Sequence, residues 1–315
     1  MMFLFLLLLK DPYMARKNKH PLLVFLGLGA VKLLARLPLA WIQALGYCVG
    51  RILVLFPTDF KRVTRINLEA CFPDQTPAWR ESILKQSMIN TVMTAFEYAI
   101  HWFWPLDKIK QVIVEPDPAA VTAFHQAQAL GKGVIMLSPH MGAWESMLGY
   151  LPEKMQATMM YRPLRIPALE SVVRGARERA GAKLVPATAS GIRAMMKALK
   201  QNEVVVILPD QVPSTRGGVI APFFGQPALT MTLVAKFAQK TGAKVMVGYV
   251  ERLPQAQGFK PHAVVLSDAI YDPDLTQAVT AMNQGLEVAI RQHPEQYVWG
   301  YKRFKRRGEA GKKLY

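Results

Sequence analysis

Gly131-Lys132-Gly133-Val134-Ile135-Met136-Leu137-Ser138-Pro139-His140-Met141-Gly142-Ala143-Trp144-Glu145 is the stretch from which the rest of the chain is read. Two glycines mark a turn, and Val134 to Leu137 is an apolar run too short for a helix and suited to a buried strand. Ser138-Pro139 ends that strand, because proline lacks an N–H and pushes its predecessor out of the helical region. His140 therefore stands just beyond a strand's carboxyl end, where α/β proteins place their ligands. Gly142 allows a tight turn, and a helix is expected from Trp144 to about Tyr150. Glu145, five residues after His140, is placed to return to the ring, fix its tautomer and stabilise the imidazolium. The alternative is a structural histidine and a glutamate that favours a helix N-terminus.

On either side of this stretch the pattern alternates. Trp79 to Trp104 reads as one long helix, with Ile83, Met88, Val92 and Phe96 near helical spacing. Strands are expected at Val112–Glu115, Ala157–Tyr161, Lys183–Pro186, Val204–Leu208, Val245–Val250 and Ala263–Leu266. Helices are expected at Pro118–Leu130 (capped by Asp117), Ile166–Ala180, Ser190–Lys200, Leu229–Thr241 and Leu275–Gln292. A loop through Arg216-Gly217-Gly218 leads to Ala221-Pro222-Phe223-Phe224-Gly225. The class is α/β, a mixed central sheet flanked by helices.

The charge balance narrows the partners. The 315 residues hold 39 Lys and Arg against 22 Asp and Glu, a net charge of +17 that suits a polyanion. Nucleic acid is not expected, since no zinc spacing and no basic stripe with stacking aromatics is present. Cys48 and Cys71 form no metal spacing or disulfide framework. The N-terminus favours a membrane surface. Met1–Leu9 is apolar but too short to span, and Arg16-Lys17-Asn18-Lys19 precedes a long apolar zone from Pro21 to Pro57. Lys32 and Arg36, four apart, would share a helical face at anionic headgroups. Residues 1–58 are thus expected to be a membrane-anchoring helical segment and 59–315 a single catalytic domain.

His140, Arg162 and Asp210 all fall at strand ends. Nucleotide, phosphate-loop and paired-histidine metal motifs are missing, so neither a cofactor nor a metal is expected. Ser138 lacks the strained elbow of a serine nucleophile. A histidine acting directly on a substrate hydroxyl is the economical reading.

His140-Met141-Gly142-Ala143-Trp144-Glu145 resembles the His-x4-Asp/Glu box of glycerolipid and lipid A acyltransferases. Tyr161-Arg162-Pro163-Leu164, Leu208-Pro209-Asp210-Gln211 and Pro222-Phe223-Phe224-Gly225 resemble the blocks that follow it. Glu295–Trp299 with Arg303-Phe304-Lys305 resembles the C-terminal signature of the late acyltransferases of lipid A biosynthesis. The resemblance implies a glycerolipid acyltransferase-like fold on the cytoplasmic face of a bacterial inner membrane. It implies transfer of a fatty acyl chain from an acyl carrier protein thioester to a hydroxyl of a lipid A precursor, with His140 as base and Glu145 as its partner. Arg177, Asp210, Arg162 and Arg174 are then candidates for substrate, oxyanion or phosphate binding. An acyltransferase of another glycerolipid or glycolipid, or a non-catalytic protein that binds acidic lipid, remain the alternatives. Lys302, Arg303, Lys305, Arg306, Arg307, Lys312 and Lys313 form a basic C-terminal run, read either as a solvated tail or as a contact for membrane, acceptor phosphate or carrier protein.

Overall fold

The computed structural model describes residues 21–147, 156–164, 166–308 and 314–315. Met1–Leu9, the basic run at 16–19, residues 148–150 of the helix expected after Trp144, and Lys312 and Lys313 lie outside them.

Helices α1 (Pro21–Leu34) and α2 (Leu39–Val54) come first. The turn between them holds Arg36, so the helical face expected for Lys32 and Arg36 together does not form. Helices α3 (Asp59–Cys71) and α4 (Pro77–Phe103) begin at Thr58 and Thr76, whose side chains accept the N–H of Lys61 and Trp79. Threonine satisfies an orphan donor at such a start, and Pro77 loses nothing there because its missing N–H would have no partner. The 27 residues of α4 rise through roughly 40 Å and serve both cores of the domain. Ile83, Leu84 and Met88 pack into one, Ala99, Ile100 and Trp102 into the other.

α2 lies close against α4: a Cβ on Gly46 would stand 2.9 Å from Met93 Cα, and one on Gly50 2.8 Å from Ile89 Cα. Ile42 is fully buried there, and Gln43 Nε2 donates to Glu97 Oε1 at 2.8 Å. The other side of this helical pair exposes Leu22, Phe25, Leu26, Leu33, Trp41 and Ile52. Among the described residues no single helix is long and apolar enough to cross a membrane; α2 and α3 together pass on length and composition but are bent by 85°.

After α5 (Leu106–Lys110) and α6 (Pro118–Ala129), eight strands follow in chain order: β1 (Val134–Leu137), β2 (Ala157–Tyr161), β3 (Lys183–Pro186), β4 (Val204–Ile207), β5 (Gly218–Phe223), β6 (Gln226–Met231), β7 (Lys244–Arg252) and β8 (Phe259–Val265). Among them stand α7 (Pro167–Arg179), α8 (Ala189–Lys200) and α9 (Leu233–Thr241), and α10 (Leu275–Gln292) follows β8. Six strands form one sheet in the order β3-β2-β4-β1-β7-β8, parallel except for the antiparallel edge strand β8. This is the expected mixed sheet flanked by helices; the alternation accounts for the parallel strands, and β8 supplies the antiparallel edge. β1 lies inside it, with Val134 and Met136 facing one core and Ile135 and Leu137 the other. A strand covered on both faces reads as an unbroken apolar run, which is why these four residues lack alternation.

The structure departs from the sequence reading in four further places. Val112–Glu115 is not a strand: Ile113 makes a single bridge to Phe259, with Val114 N–H to Phe259 O and Phe259 N–H to Val112 O each at 2.8 Å. The helix expected across Leu229–Thr241 begins at Leu233, because β5 and β6 pair as a hairpin turning at Phe224-Gly225. Pro222 and Pro227 oppose one another in that hairpin, and prolines conceal a strand because they cannot donate to a ladder. Trp144–Ser146 is a 3₁₀ turn. Part of the basic run after residue 301 is tied down: Arg303, 3 % exposed, donates to Leu229 O at 2.7 Å and Thr230 Oγ1 at 2.5 Å, Arg307 to Gln226 Oε1 at 2.8 Å, and Lys302 pairs with Asp59 at 3.0 Å, while Lys305 and Arg306 stay exposed.

Candidate active site

Parallel pairing places the central pair of residues. Leu137 of β1 stands opposite Ile207 of β4, and three residues beyond each come His140 and Asp210. Equal offsets past paired strand ends bring the imidazole and the carboxylate together. Asp210 Oδ1 lies 2.8 Å from His140 Nδ1, and Oδ2 accepts the His140 backbone N–H at 2.9 Å. The carboxylate side chain is 3 % exposed and the imidazole 23 %. Donation of Nδ1–H to Asp210 leaves the lone pair on Nε2, where Gln211 Nε2 lies 3.3 Å away. Burial pushes the His140 pKa down, but the Asp210 charge and hydrogen bond more than offset this and hold it above the ordinary histidine value. Asp210 moves the other way: burial raises it, and His140 brings it below the usual carboxylate range.

The backbone after His140 is fixed from several sides. Val298 N–H donates to His140 O at 3.1 Å, Gly142 N–H to Gln296 O at 2.9 Å and Ala143 N–H to Val250 O at 2.9 Å. Thr94 Oγ1, from α4, donates to Gly142 O at 3.0 Å. Gly142 has φ +58°, and a Cβ there would sit 2.0 Å from Val250 O, so no other residue fits the turn. Beneath it Arg252 donates from Nε to Glu97 Oε1 at 2.6 Å and from Nη2 to Glu97 Oε2 at 2.5 Å. Its Nη1 and Nη2 also reach Asn90 Oδ1 and Thr94 Oγ1, both at 2.7 Å. Gln296 closes the frame: its Oε1 accepts Arg252 N–H at 2.9 Å and its Nε2 donates to Arg252 O at 3.0 Å.

Glu145 is not the hydrogen-bond partner of His140 Nδ1; Asp210 is. The 3₁₀ turn directs Glu145 toward α7, where Arg177 Nη2 donates to its Oε1 at 2.5 Å and Nε to its Oε2 at 3.3 Å. Both side chains are sheltered, 6 % and 19 % exposed. Burial would raise the Glu145 pKa, but Arg177 outweighs it and brings it below the usual range. Burial likewise lowers Arg177, and Glu145 raises it above its ordinary value. The Glu145 charge still acts on His140 through space, raising its pKa. Asp210, a candidate for substrate binding from the resemblance, instead holds His140.

Arg177 also lies over the Tyr161 ring, 5.1 Å from its centroid. Arg162 follows β2 directly and is exposed. Arg174 is at the surface, paired with Glu178 at 2.8 Å, one helical turn before Arg177. Arg179 donates to the carbonyls of His101, Trp102 and Trp104 at the end of α4.

Sequence reasoning passed over several supporting residues. Tyr297 is buried, and burial together with the hydrogen-bonded Asp210 raises its hydroxyl pKa well above the ordinary value. Trp144 stands edge-on to His140 with ring centroids 5.4 Å apart. His101 Nε2 lies 3.2 Å from Ser146 Oγ, and burial lowers its pKa. The Glu97–Arg252 frame joins residues 155 positions apart, so no local motif announces it. A cavity of about 130 Å³ lies under β1 and β7, lined by Val121, Phe124, Met136, Met147, Gly248 and Ala263 among others. For a metal, Glu251, His262 and His293 form the one candidate trio among the described residues.

Residues 14–306 match the model of the bacterial lipid A biosynthesis acyltransferases. The chain is 28 % identical over 307 residues to the lipid A biosynthesis palmitoleoyltransferase of Escherichia coli (strain K12), covering 96 % of this chain and 97 % of that one. It is 28 % identical over 294 residues to the lauroyltransferase of the same organism, covering 91 % and 93 %. With that organism's myristoyltransferase the identity is 24 % over 306 residues, covering 94 % and 91 %. On this match along nearly the whole chain, the protein is an acyltransferase that belongs to the bacterial lipid A biosynthesis acyltransferase family.

Proposed function

We propose that this protein transfers a fatty acyl chain from an acyl carrier protein thioester to a hydroxyl of a lipid A precursor, a secondary acylation. The observation that carries the reading is the His140–Asp210 pair at two adjacent strand ends, with Nε2 left as the basic atom. His140 Nε2 removes the proton of the acceptor hydroxyl as that oxygen attacks the thioester carbonyl. Asp210 keeps the tautomer and neutralises the imidazolium. Glu145 contributes its charge through space and holds Arg177, whose guanidinium supports a substrate phosphate or the developing oxyanion. Collapse of the tetrahedral intermediate breaks the carbon–sulfur bond, and the carrier's thiolate takes the proton from His140. No cofactor is required by this sequence of steps.

Arg162 and Arg174, near the Arg177 side of the site, serve the phosphate-bearing acceptor. The cavity beneath β1 and β7 receives apolar chain, since most of its lining is aliphatic, aromatic or thioether. The exposed apolar face of α1 and α2 rests in the inner membrane, with Lys32 and Arg51 at headgroup level. Residues 1–58 then form the anchor and 59–315 the catalytic unit on the cytoplasmic face.

The test is an assay of the full chain with acyl-carrier-protein donors of several lengths and a lipid A precursor, read by mass spectrometry of the acceptor. A gain of one acyl mass, lost in His140→Ala, is expected. Transfer from acyl coenzyme A to a glycerolipid, with none to the precursor, would redirect the substrate assignment; lipid binding without transfer from either donor would remove the catalytic reading.

A further inference from the structure

At the β8 edge of the sheet, three side chains that the proton-transfer steps do not use converge, one of which, His262, also lines the cavity assigned to the apolar chain. Glu251 Oε2 lies 2.8 Å from His262 Nε2 and 3.7 Å from His293 Nε2, and one ligand-type atom from each residue lies within 4.8 Å of the others. The fold explains the meeting. Tyr249 and His262 are opposed across β7 and β8, and Glu251, two residues along, shares their face. The His262 ring stacks on Tyr249 at 4.8 Å and 14°, while the Tyr249 hydroxyl donates to Gln292 at the end of α10. His293 caps that same helix.

We propose that Glu251, His262 and His293 bind one divalent transition-metal ion of the zinc and cobalt class. Two imidazole nitrogens and a carboxylate oxygen are the donor set that such ions take, with remaining positions left to water. Metal–ligand bonds of about 2.0–2.2 Å set ligand atoms about 3–4 Å apart. The present spacings need adjustments of under about 1 Å, small for side chains that are 17–24 % exposed. Two further features favour a cation. The site adjoins the carbonyl end of an 18-residue helix, the negative end of its dipole. His293 Nδ1 also lies 3.7 Å from Glu295 Oε1, the outer carboxylate that commonly orients a ligating histidine. Of the nearby cations, Arg252 is engaged with Glu97, and Lys260 stands opposite Glu251 in the strand register.

The ion would clamp the β7–β8 edge to the end of α10. Glu295 and Gln296 follow directly, and Gln296 O accepts the N–H of Gly142 in the His140 loop. Loading would therefore stiffen the support of the base from outside the His140–Asp210 pair.

Tag-free full-length protein in detergent, stripped with EDTA and titrated with Co²⁺, tests this. One equivalent should bind with visible d–d absorption, Zn²⁺ should displace it, and Zn²⁺ should raise Tm. His262→Asn and His293→Gln should weaken binding by at least about 100-fold, because loss of an outer partner alone costs 10–100-fold. Glu251→Gln, which keeps a hydrogen-bond acceptor for His262, should weaken binding as well and decides the matter where the histidine variants do not fold. His140→Ala should still bind one equivalent. Binding that is equal in wild type and all three ligand variants, or that disappears in His140→Ala, would overturn the proposal.

Discussion

Two carboxylates face a nitrogen base on opposite sides of the same short loop, and they do different work. Glu97 and Arg252 are 0 % and 3 % exposed, and the guanidinium has partners on Nε, Nη1 and Nη2. Asp210 and His140 are 3 % and 23 % exposed, and the ring presents its second nitrogen toward the more open side. In the first pair the bonding is complete and dry, so it can only hold shape. In the second the carboxylate is buried, while the partly exposed imidazole meets only the Gln211 amide at its second nitrogen, 3.3 Å away, a contact that an acceptor hydroxyl can replace. The turn at Gly142 joins them: Thr94 bonds both Arg252 and the Gly142 carbonyl. The proposed chemistry goes with the more exposed pair, whose second nitrogen has one long, replaceable contact, and charge pairing alone does not distinguish the two.

The contrast breaks most directly by truncating the base. His140→Ala should lower kcat about 10²–10⁴-fold, the usual cost of losing a general base, with the unfolding midpoint close to wild type. Turnover within a few-fold of wild type would make His140 a structural residue. Glu97→Gln should show the converse. It leaves Arg252 buried with its charge uncompensated, a loss of about 3–5 kcal/mol, read as a lower midpoint in denaturant. Its activity should fall only as folded protein is lost. A fully stable Glu97→Gln variant with low kcat would show that the frame belongs to the chemistry.

Asp210→Asn sharpens the comparison at the tautomer. The expected fall in kcat is on the order of 10²-fold or more, since an amide no longer selects Nδ1–H. The pH profile separates this from loss of packing. As the proposed base, His140 must be neutral, and its raised pKa then places the rising limb of kcat/KM above the ordinary histidine value of about 6.5. Removing the Asp210 charge leaves burial as the larger influence, so the limb should move to lower pH. An unmoved limb would assign that ionisation to another group. Glu145→Gln should move it less, because Glu145 acts on the ring without a hydrogen bond, and its main effect should be a raised KM for acceptor through a loosened Arg177.

The parts of the fold legible in the sequence are those whose signal is local. Val134–Leu137 and Ala157–Tyr161 are marked by apolar runs with a proline soon after, and the structure places both strands at those bounds. The β5–β6 hairpin was hidden by Pro222 and Pro227 and by an apolar tract that resembles the start of α9. At the site, His140, Glu145, Arg177 and Asp210 were all legible as candidates, but their pairing was not. Spacing along the chain suggested His140 with Glu145, whereas strand register pairs His140 with Asp210 and leaves Glu145 to Arg177. Register was the missing signal: β1 and β4 align with an offset of 70, the same separation as His140 and Asp210.

The smallest effect concerns α1 and α2, where one helical pair has a finished and an unfinished side. Ile42 and Gln43 face α4, and Gln43 bonds Glu97; deleting the segment would therefore uncover α4, remove one hydrogen bond from a buried carboxylate and confuse anchoring with folding. Point substitutions on the outer side avoid this. Phe25 and Trp41 are 73 % and 64 % exposed, and burying such a side chain in lipid is worth about 1–2 kcal/mol when part of its surface stays wet. Phe25→Ser with Trp41→Ser should weaken partition of the full chain into anionic vesicles by roughly tenfold or more, and leave kcat on detergent-dispersed substrate within about twofold. Ile42→Ser, one position along the chain from Trp41, should instead lower the unfolding midpoint and leave the partition of folded protein unchanged. Unaltered vesicle binding in the outer-face double variant would move the membrane contact away from α1 and α2. The basic residues that remain exposed near the C-terminus, Lys305 among them, would then become the next surface to neutralise.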